Sequence, residues 1–290
     1  MLWGAGIPAP AQGRQAYLGT LGRTTRLLDR CAEILDAAEL RGIRLMPYKG
    51  AALVDLYYGD RGLRGLGDLD LLVEPAQLDD AISLLESLGF RRRYAGQARF
   101  TPRHAHDVAL DDIRDPDCAV ELHYRLFHDL AGDPTLARIF DRAVRRPILG
   151  GARLVPAPAD HLFAVAVHAA GHSFGEHPGW VVDARLLWAE AGVEEARTEA
   201  HRRGYGPAFD VAMFLLSTIF PEISAPLGLA DRARLGLLRR ISPSPMAAPV
   251  RGLPSLLTRA ILTRRPIDAV WEIVRKLGLR VTELGESRRR

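Results

Sequence analysis

Residues 67–73 read Gly67-Asp68-Leu69-Asp70-Leu71-Leu72-Val73, and this stretch indicates the fold more strongly than its surroundings. The alternation of polar and apolar residues, followed by an apolar end, predicts a β-strand over Asp68–Val73. Side chains two positions apart on a strand share a face, so Asp68 and Asp70 are expected side by side, opposite Leu69 and Leu71. Taken alone, however, an Asp-x-Asp pair is more often a source of turn hydrogen bonds at a strand entrance.

Strands and helices alternate on both sides of this stretch. Four strands are predicted, at residues 43–48, 68–73, 106–110 and 118–122, and the last two form a hairpin around a turn-like segment. Helices are predicted over residues 14–40, 51–58 and 75–89. This pattern predicts an α+β fold, with a mixed β-sheet, flanking helices and a mainly helical C-terminal region. In that region helical spacing recurs at residues 160–170, 180–191, 206–220 and 256–283.

A third carboxylate is expected near the aspartate pair. Glu121 lies on the strand that closes the predicted hairpin, within Ala119-Val120-Glu121-Leu122-His123. Carboxylates that crowd together repel each other unless a cation neutralises them, and oxygen ligands of this kind suit Mg²⁺. Three carboxylates on neighbouring strands would form a metal platform for phosphoryl-type transfer.

The residues before the acidic strand are suited to phosphate. Lys49 and Gly50 lie between a predicted strand and a predicted helix, where a helix N-terminus presents amide donors. Only two of the 39 basic residues are lysines, so Lys49 stands out. Arg61 and Arg64, in a glycine-rich loop, would clamp phosphates or screen the carboxylates. For Arg61 we favour an ordinary surface role.

Three motifs in this order resemble an uncharacterised bacterial nucleotidyltransferase family of the DNA polymerase β-like nucleotidyltransferase superfamily. The first motif runs from Tyr48 to Leu53, the second from Leu56 through the arginine loop to Val73, and the third from Val120 to Tyr124. The resemblance covers roughly residues 43–126 and continues more weakly to Trp188.

The resemblance implies an enzyme of the EC 2.7.7 type. Asp68, Asp70 and Glu121 would be catalytic and would hold Mg²⁺ or Mn²⁺. A nucleoside triphosphate such as ATP would be the donor, and a hydroxyl or similar acceptor on a small molecule, a peptide or protein, or an RNA such as tRNA would attack its α-phosphorus as pyrophosphate leaves. The nucleotide-binding residues would be Lys49, Gly50, Arg64 and His123.

The chain departs from the superfamily pattern at two positions. Lys49-Gly50 stands where Gly-Ser is usual, and Glu121 stands where Asp is more common. A non-catalytic nucleotide- or RNA-binding regulatory protein that retains the fold is therefore the alternative.

The histidines allow further hypotheses. His168 and His172 lie one helical turn apart, the spacing of a zinc-binding helix, but the glutamate base of such helices is absent. A third ligand would have to be His161, His177 or Asp183. We expect His168 and His172 to line the cleft together with Tyr58; packing between helices is the alternative. His123 has two expected roles. It either orients Glu121 or a phosphate, or it is a core histidine.

Composition excludes several classes of protein. The 290 residues are 48% hydrophobic and 26% charged, as in globular chains rather than disordered ones. Two cysteines exclude a disulfide scaffold. The chain shows neither a signal-peptide pattern at its start nor an apolar run long enough for a membrane helix. A cytoplasmic protein without a membrane partner is therefore expected.

Positive charge is concentrated near the C-terminus. Residues 231–290 contain 14 basic and 5 acidic residues, although the whole chain has a net charge of +4. This asymmetry predicts an acidic partner such as RNA, unless the region is simply a solvated helical face. The predicted division is an N-terminal helical segment 1–42, a catalytic domain 43–130, a helical domain 131–240 and a basic extension 241–290.

Overall fold

The structure, a computed structural model, describes residues 11–93, 106–126, 135–172, 174 and 179–241. The chain divides into two compact units, Met1–Ala157 and Pro158–Arg290. None of the helices in the described ranges combines the length and the apolar character that a membrane span requires. Three predicted features lie outside the described residues, namely His177, the helix over 256–283 and the basic extension beyond Ile241.

The first unit contains a five-stranded mixed sheet with the strand order β1-β2-β5-β4-β3. Only the central pair β2–β5 is parallel, and the other neighbours are antiparallel. The predicted α+β fold and the predicted β4–β5 hairpin are both confirmed. The strands are β1 Leu45–Pro47, β2 Leu69–Val73, β3 Phe90–Arg92, β4 Asp107–Asp112 and β5 Ala119–His123.

Strand β2 shows why the sequence pattern was informative. Leu69, Leu71 and Val73 lie in the hydrophobic core, so Asp70 projects from the other face. The strand begins at Leu69, and Asp68 immediately precedes it, one residue later than the predicted start. Strand β1 is at the sheet edge. Pro47 has no N–H donor, and an edge strand tolerates this because one of its sides pairs with no other strand.

Helices cover the core side of the sheet. Helix α1, Ala11–Leu40, is one continuous helix. Its apolar stripe, which includes Leu28, Cys31 and Ile34, shares one core with the strand leucines and α3. Between β1 and β3 lie α2 Gly50–Leu53, which continues as a π-helix Val54–Tyr58, then a 3-10 turn Pro75–Gln77 and α3 Leu78–Ser87.

Helix α1 also fixes the glycine-rich loop that precedes β2. The Tyr17 hydroxyl donates a hydrogen bond to the Asp60 carboxylate at 3.0 Å. The Thr24 hydroxyl donates to the carbonyl oxygen of Arg64 at 3.1 Å. A Cβ atom on Gly62 would lie 2.3 Å from the Tyr17 ring, so this glycine allows the loop to approach the helix closely.

The first unit extends beyond the sheet. It includes α4 Thr135–Arg142 and an antiparallel hairpin formed by β6 Val144–Ile148 and β7 Gly151–Val155. The connecting Leu149 and Gly150 both have positive φ, of 50° and 72°. In the sequence, Arg145, Arg146 and Pro147 obscure the alternation of β6. The four-part domain division remains a prediction.

The second unit is helical within its described residues, as predicted. The predicted helices are α5 Pro158–Gly171, α6 Trp180–Trp188 and α8 Gly206–Ile219, and the unpredicted ones are α7 Val193–Arg202 and α9 Leu229–Ile241. Asp210 is buried and accepts hydrogen bonds from Arg197 at 2.8 Å, while His201 Nε2 lies 2.8 Å from its carboxylate. This cluster accounts for part of the buried charge in the unit.

Candidate active site

Two of the three predicted carboxylates are direct neighbours across the parallel strand pair. Asp70 on β2 is opposite Glu121 on β5 in the register, and the next positions on the same face bring Leu72 opposite His123. Since neighbouring strands are about 4.8 Å apart, the two carboxylates project from adjacent points of one sheet face. The structure therefore brings Asp70 and Glu121 together, although they are 51 positions apart in the chain.

Asp68 lies at the entrance of β2, next to this pair. It is partly exposed, and after burial its negative charge is the next largest cause that raises the pKa of Glu121. All three predicted acids thus lie in one electrostatic neighbourhood. Their roles in catalysis and metal binding remain predictions at this point.

Asp70 is held by two partners. Lys49 Nζ donates to Asp70 Oδ1 at 2.8 Å, and His123 Nε2 lies 2.8 Å from the same oxygen. Burial alone would raise the pKa of Asp70, but the Lys49 ammonium and the hydrogen bond from His123 outweigh it and hold that pKa far below its usual range. For Lys49, burial lowers the pKa and the Asp70 carboxylate more than compensates, so both groups are charged. Asp70 is a fixed carboxylate.

Glu121 has the opposite character. Its side chain is one-third exposed. Burial first, and then the negative charge of Asp68, raise the pKa of Glu121 to about 7. Both causes disfavour the ionised carboxylate, and a bound cation would favour it.

The donor set fits a metal ion. Asp70, Glu121 and His123 each offer a ligand atom, and these atoms lie within 4.8 Å of one another. Carboxylate oxygens suit Mg²⁺ and Mn²⁺, whereas an imidazole nitrogen suits Mn²⁺ better than Mg²⁺. The predicted set contained Asp68 in the place of His123. His123 was predicted to bind the nucleotide. In the structure its Nε2 lies 2.8 Å from Asp70 Oδ1.

Aromatic rings support His123 from behind. The Tyr48 ring meets the His123 ring edge-on, with centroids 5.7 Å apart, and the His106 ring lies 5.4 Å away. His123 is buried, and its Nδ1 has no hydrogen-bond partner among the described residues. Tyr48 and His106 were not predicted as site residues. A signal for Tyr48 existed, since it directly precedes Lys49 within the first motif.

The strand-to-helix junction has an unusual backbone. Lys49 has φ 48° and ψ −132°, a backbone conformation that residues other than glycine rarely adopt. Gly50 is buried, and a Cβ atom there would lie 2.6 Å from Leu66 Cδ2 and 3.7 Å from Arg64 Nη2. The loop that carries Arg64 therefore lies directly over Gly50, which brings Lys49, Gly50 and Arg64 into one place. Backbone strain of this kind is often concentrated at functional sites.

Arg61 and Tyr58, which lie close to Arg64 in the sequence, have different surroundings. Arg61 forms a two-pronged ion pair with Asp55, at 3.0 and 3.1 Å, and a further contact with Asp29 at 3.2 Å. It thus joins two helical segments through ion pairs, whereas the sequence analysis favoured an ordinary surface role. Tyr58 is half-buried at the end of the π-helix, and its predicted cleft role is untested.

The paired histidines belong to the second unit. The rings of His168 and His172 have centroids 4.5 Å apart, as helical spacing requires. Among the described residues, the only group of three or more ligand side chains is the one around Asp70, so no described residue completes a zinc site at these histidines. The cleft-lining role of His168 and His172 remains a prediction.

Comparison with known families provides the assignment. A family described as an uncharacterised nucleotidyltransferase matches residues 7–221, most of the 290-residue chain. The chain belongs to this nucleotidyltransferase family. It is accordingly a transferase of the EC 2.7.7 type, and the resemblance found in the three motifs is confirmed.

Solved structures of low similarity also match this nucleotidyltransferase. The solution structure of the antibiotic-resistance factor ANT(2'')-Ia is 16% identical over 63% of this chain and 94% of that chain, with a TM-score of 0.44. A crystal structure of ANT(2'')-Ia in complex with adenylyl-2''-tobramycin is 17% identical over 61% and 98%, with a TM-score of 0.41. These values add no detail to the family assignment. A search of curated proteins found no match.

Proposed function

We propose that this nucleotidyltransferase transfers a nucleoside monophosphate from a nucleoside triphosphate to a hydroxyl or similar acceptor, and that it requires Mg²⁺ or Mn²⁺. One observation carries the proposal. Asp70 and Glu121 lie opposite each other on the parallel strands, and their carboxylate oxygens lie within 4.8 Å of each other and of a His123 ring nitrogen. A sheet face on which carboxylates are paired in this way is suited to a divalent cation and, with it, a triphosphate.

Asp70, Glu121 and Asp68 would hold the cation. When bound, a divalent ion of this kind neutralises charge on the phosphates and on the leaving group. His123 donates to Asp70 and so orients the carboxylate from behind the site. Lys49, Gly50 and Arg64, which lie together at the strand-to-helix junction, would meet the triphosphate.

The chemistry follows from these positions. The acceptor oxygen attacks the α-phosphorus, and a new phosphorus–oxygen bond forms. The bond between the α-phosphorus and the bridging oxygen breaks, and its electron pair leaves with pyrophosphate. Glu121, the more exposed of the two paired carboxylates, would accept the acceptor's proton.

The proposal can be tested without knowing the acceptor. The protein would be incubated with each of the four triphosphates, with MgCl₂ or MnCl₂ and a cell extract, and nucleotide adducts and pyrophosphate would be measured. We expect metal-dependent pyrophosphate release and a mass increase corresponding to one nucleoside monophosphate on an extract component.

Asp70→Asn is the decisive variant. It removes a carboxylate that has no substitute at its register position, so pyrophosphate release should fall by more than about 100-fold, beyond what changes around metal ligands typically cause. Asp111 is a half-buried aspartate on β4, and Asp111→Asn is the matched control that should retain the wild-type rate. Metal-dependent turnover that survives in Asp70→Asn would refute the assignment, and nucleotide binding without pyrophosphate release by the wild type would support the regulatory alternative.

A further inference from the structure

Arg23 on helix α1 connects the two segments that lead into the metal-facing strands. Its Nε donates to the carbonyl oxygen of Leu66 at 3.0 Å, and its Nη2 donates to the carbonyl oxygen of Gly67 at 3.1 Å. The same Nη2 donates to the carbonyl oxygen of Asp117 at 2.9 Å. Nη1 lies 3.4 Å from the Asp117 carboxylate. One guanidinium thus binds two segments that are 50 positions apart.

Both segments are irregular at the points that Arg23 contacts. Leu66 and Gly67 precede Asp68 and the first residue of β2, and Asp117 lies in the turn that precedes β5. The ladder between β2 and β5 begins only at Leu69 and Val120. Before these residues no strand pairing fixes the distance between the segments, so the contacts of Arg23 hold them together.

A guanidinium is suited to this task because its five donors form a rigid planar fork. A lysine at position 23 would offer a point charge on a flexible stem and would satisfy fewer of the three carbonyls at once. Arg26, one turn further along α1, is a useful contrast. Its side chain is 57% exposed and lies 3.6 Å from the Asp115 carboxylate and 3.9 Å from that of Asp117.

We propose that Arg23 is a positioning residue that sets the distance between Asp68 and the β5 carboxylate Glu121, and thereby tunes the metal site. This inference rests on the proposed function. Arg23 binds backbone oxygens at the outer end of the sheet, and Asp68 directly follows Gly67, whose carbonyl it holds. Mg²⁺ and Mn²⁺ sites tolerate little displacement of their ligands, so a loosened entrance should weaken metal binding.

The test uses Mn²⁺ alone as the probe, with free Mn²⁺ measured by electron paramagnetic resonance on the full chain. We compare the wild type with Arg23→Ala, Arg23→Lys, Arg26→Ala and Asp70→Asn, and we record each thermal midpoint by circular dichroism. We expect Arg23→Ala to weaken Mn²⁺ binding by about 10- to 100-fold, the range typical of residues that orient metal ligands. Arg23→Lys should give a smaller loss, and Arg26→Ala should bind as the wild type does.

The outcomes separate this inference from the proposed function. If the wild type binds no Mn²⁺, or Asp70→Asn binds it equally well, the metal site itself is wrong and the role of Arg23 falls with it. If only Asp70→Asn loses Mn²⁺ while both Arg23 variants bind normally, the proposed function stands and the inference is refuted. A lowered thermal midpoint with unchanged Mn²⁺ affinity would assign Arg23 a purely structural role. Should Arg23→Ala not fold, Arg23→Lys decides between these results.

Discussion

The first unit buries two ion pairs of similar length, and they differ in the balance of charge around them. Arg30 Nε lies 2.7 Å from Asp112, and Lys49 Nζ lies 2.8 Å from Asp70. In both pairs the side chains are nearly enclosed. The first pair joins α1 to the end of β4, and the second joins the β1–α2 junction to β2.

Around Arg30 the charges and hydrogen bonds are balanced. Arg30 also donates to Glu33 and to the carbonyl oxygen of Leu88, both at 2.6 Å. Arg114 lies 3.6 Å from Asp112 and 3.7 Å from Glu33, so two guanidinium groups face two carboxylates. Such a cluster needs no further ligand.

Around Lys49 the charges are not balanced. Asp70 lies 2.8 Å from both Lys49 Nζ and His123 Nε2, whereas Glu121 lies 3.7 Å from His123 Nε2. At Glu121, burial first and then the negative charge of Asp68 raise the pKa to about 7. The difference teaches that burial of an ion pair does not mark a functional site, whereas an uncompensated excess of one charge does.

The largest effect on folding is expected where the charge is balanced. Asp112→Ala leaves Arg30 buried without its closest carboxylate, and removing one partner of a buried pair typically costs about 3–5 kcal/mol in the free energy of unfolding. Urea denaturation measures this loss. The neighbouring Asp111→Ala, which removes only an exposed pair with Arg93, should cost at most about 1 kcal/mol. Equal losses in the two variants would show that the buried Arg30–Asp112 pair stabilises the fold no more than the exposed Arg93–Asp111 pair.

An intermediate effect is expected at the unbalanced cluster. Lys49→Met removes the ammonium group and should lower the stability of the metal-free protein by about 1–3 kcal/mol, because a buried carboxylate loses a charged partner. Mn²⁺ should restore more stability to this variant than to the wild type, since the cation no longer competes with Lys49 for Asp70.

Denaturation in EDTA and in excess MnCl₂ separates these contributions. Asp111→Ala serves as the control and should gain as much stability from Mn²⁺ as the wild type gains. If Mn²⁺ stabilises Lys49→Met no more than the wild type, the excess negative charge is not the feature that attracts the ion.

The smallest effect is expected at Arg61, which forms an ion pair that is only partly buried. Arg61→Ala should cost about 1 kcal/mol or less and should leave triphosphate affinity unchanged, because Arg61 faces Asp55 and Asp29. Arg64→Ala, in the same loop but next to Gly50, should weaken triphosphate binding measured by calorimetry. If Arg61→Ala weakened triphosphate binding and Arg64→Ala did not, the roles assigned to these two arginines would be exchanged.

Local patterns in the sequence predicted the elements well where each element follows a single period. The alternation in β2 assigned Leu69 and Leu71 to the core and Asp70 to the other face, and the structure agrees. Strands β3 and β6 were missed because each contains adjacent arginines that hide the alternation. The π-helix Val54–Tyr58 was predicted as ordinary helix, since the sequence contains no signal for the change in hydrogen bonding.

The carboxylates of the candidate site, Lys49 and His123 could be named from the sequence, whereas the contacts between them could not. Asp68, Asp70 and Glu121 belong to recognisable motifs. By contrast, the contacts of Lys49 with Asp70, of His123 with Asp70 and of Arg23 with Asp117 join residues that are 21, 53 and 94 positions apart. No local period encodes such distances.

Side-chain period and motif order alone therefore establish a mixed α+β nucleotidyltransferase with an acidic strand, because the face on which a residue lies depends only on its immediate neighbours. The parallel pairing of β2 with β5, the ion pair that holds Asp70 and the clamp formed by Arg23 arise only when the whole chain packs. These features depend on which distant segments bury their apolar faces together, and that is a property of the complete core rather than of any segment within it.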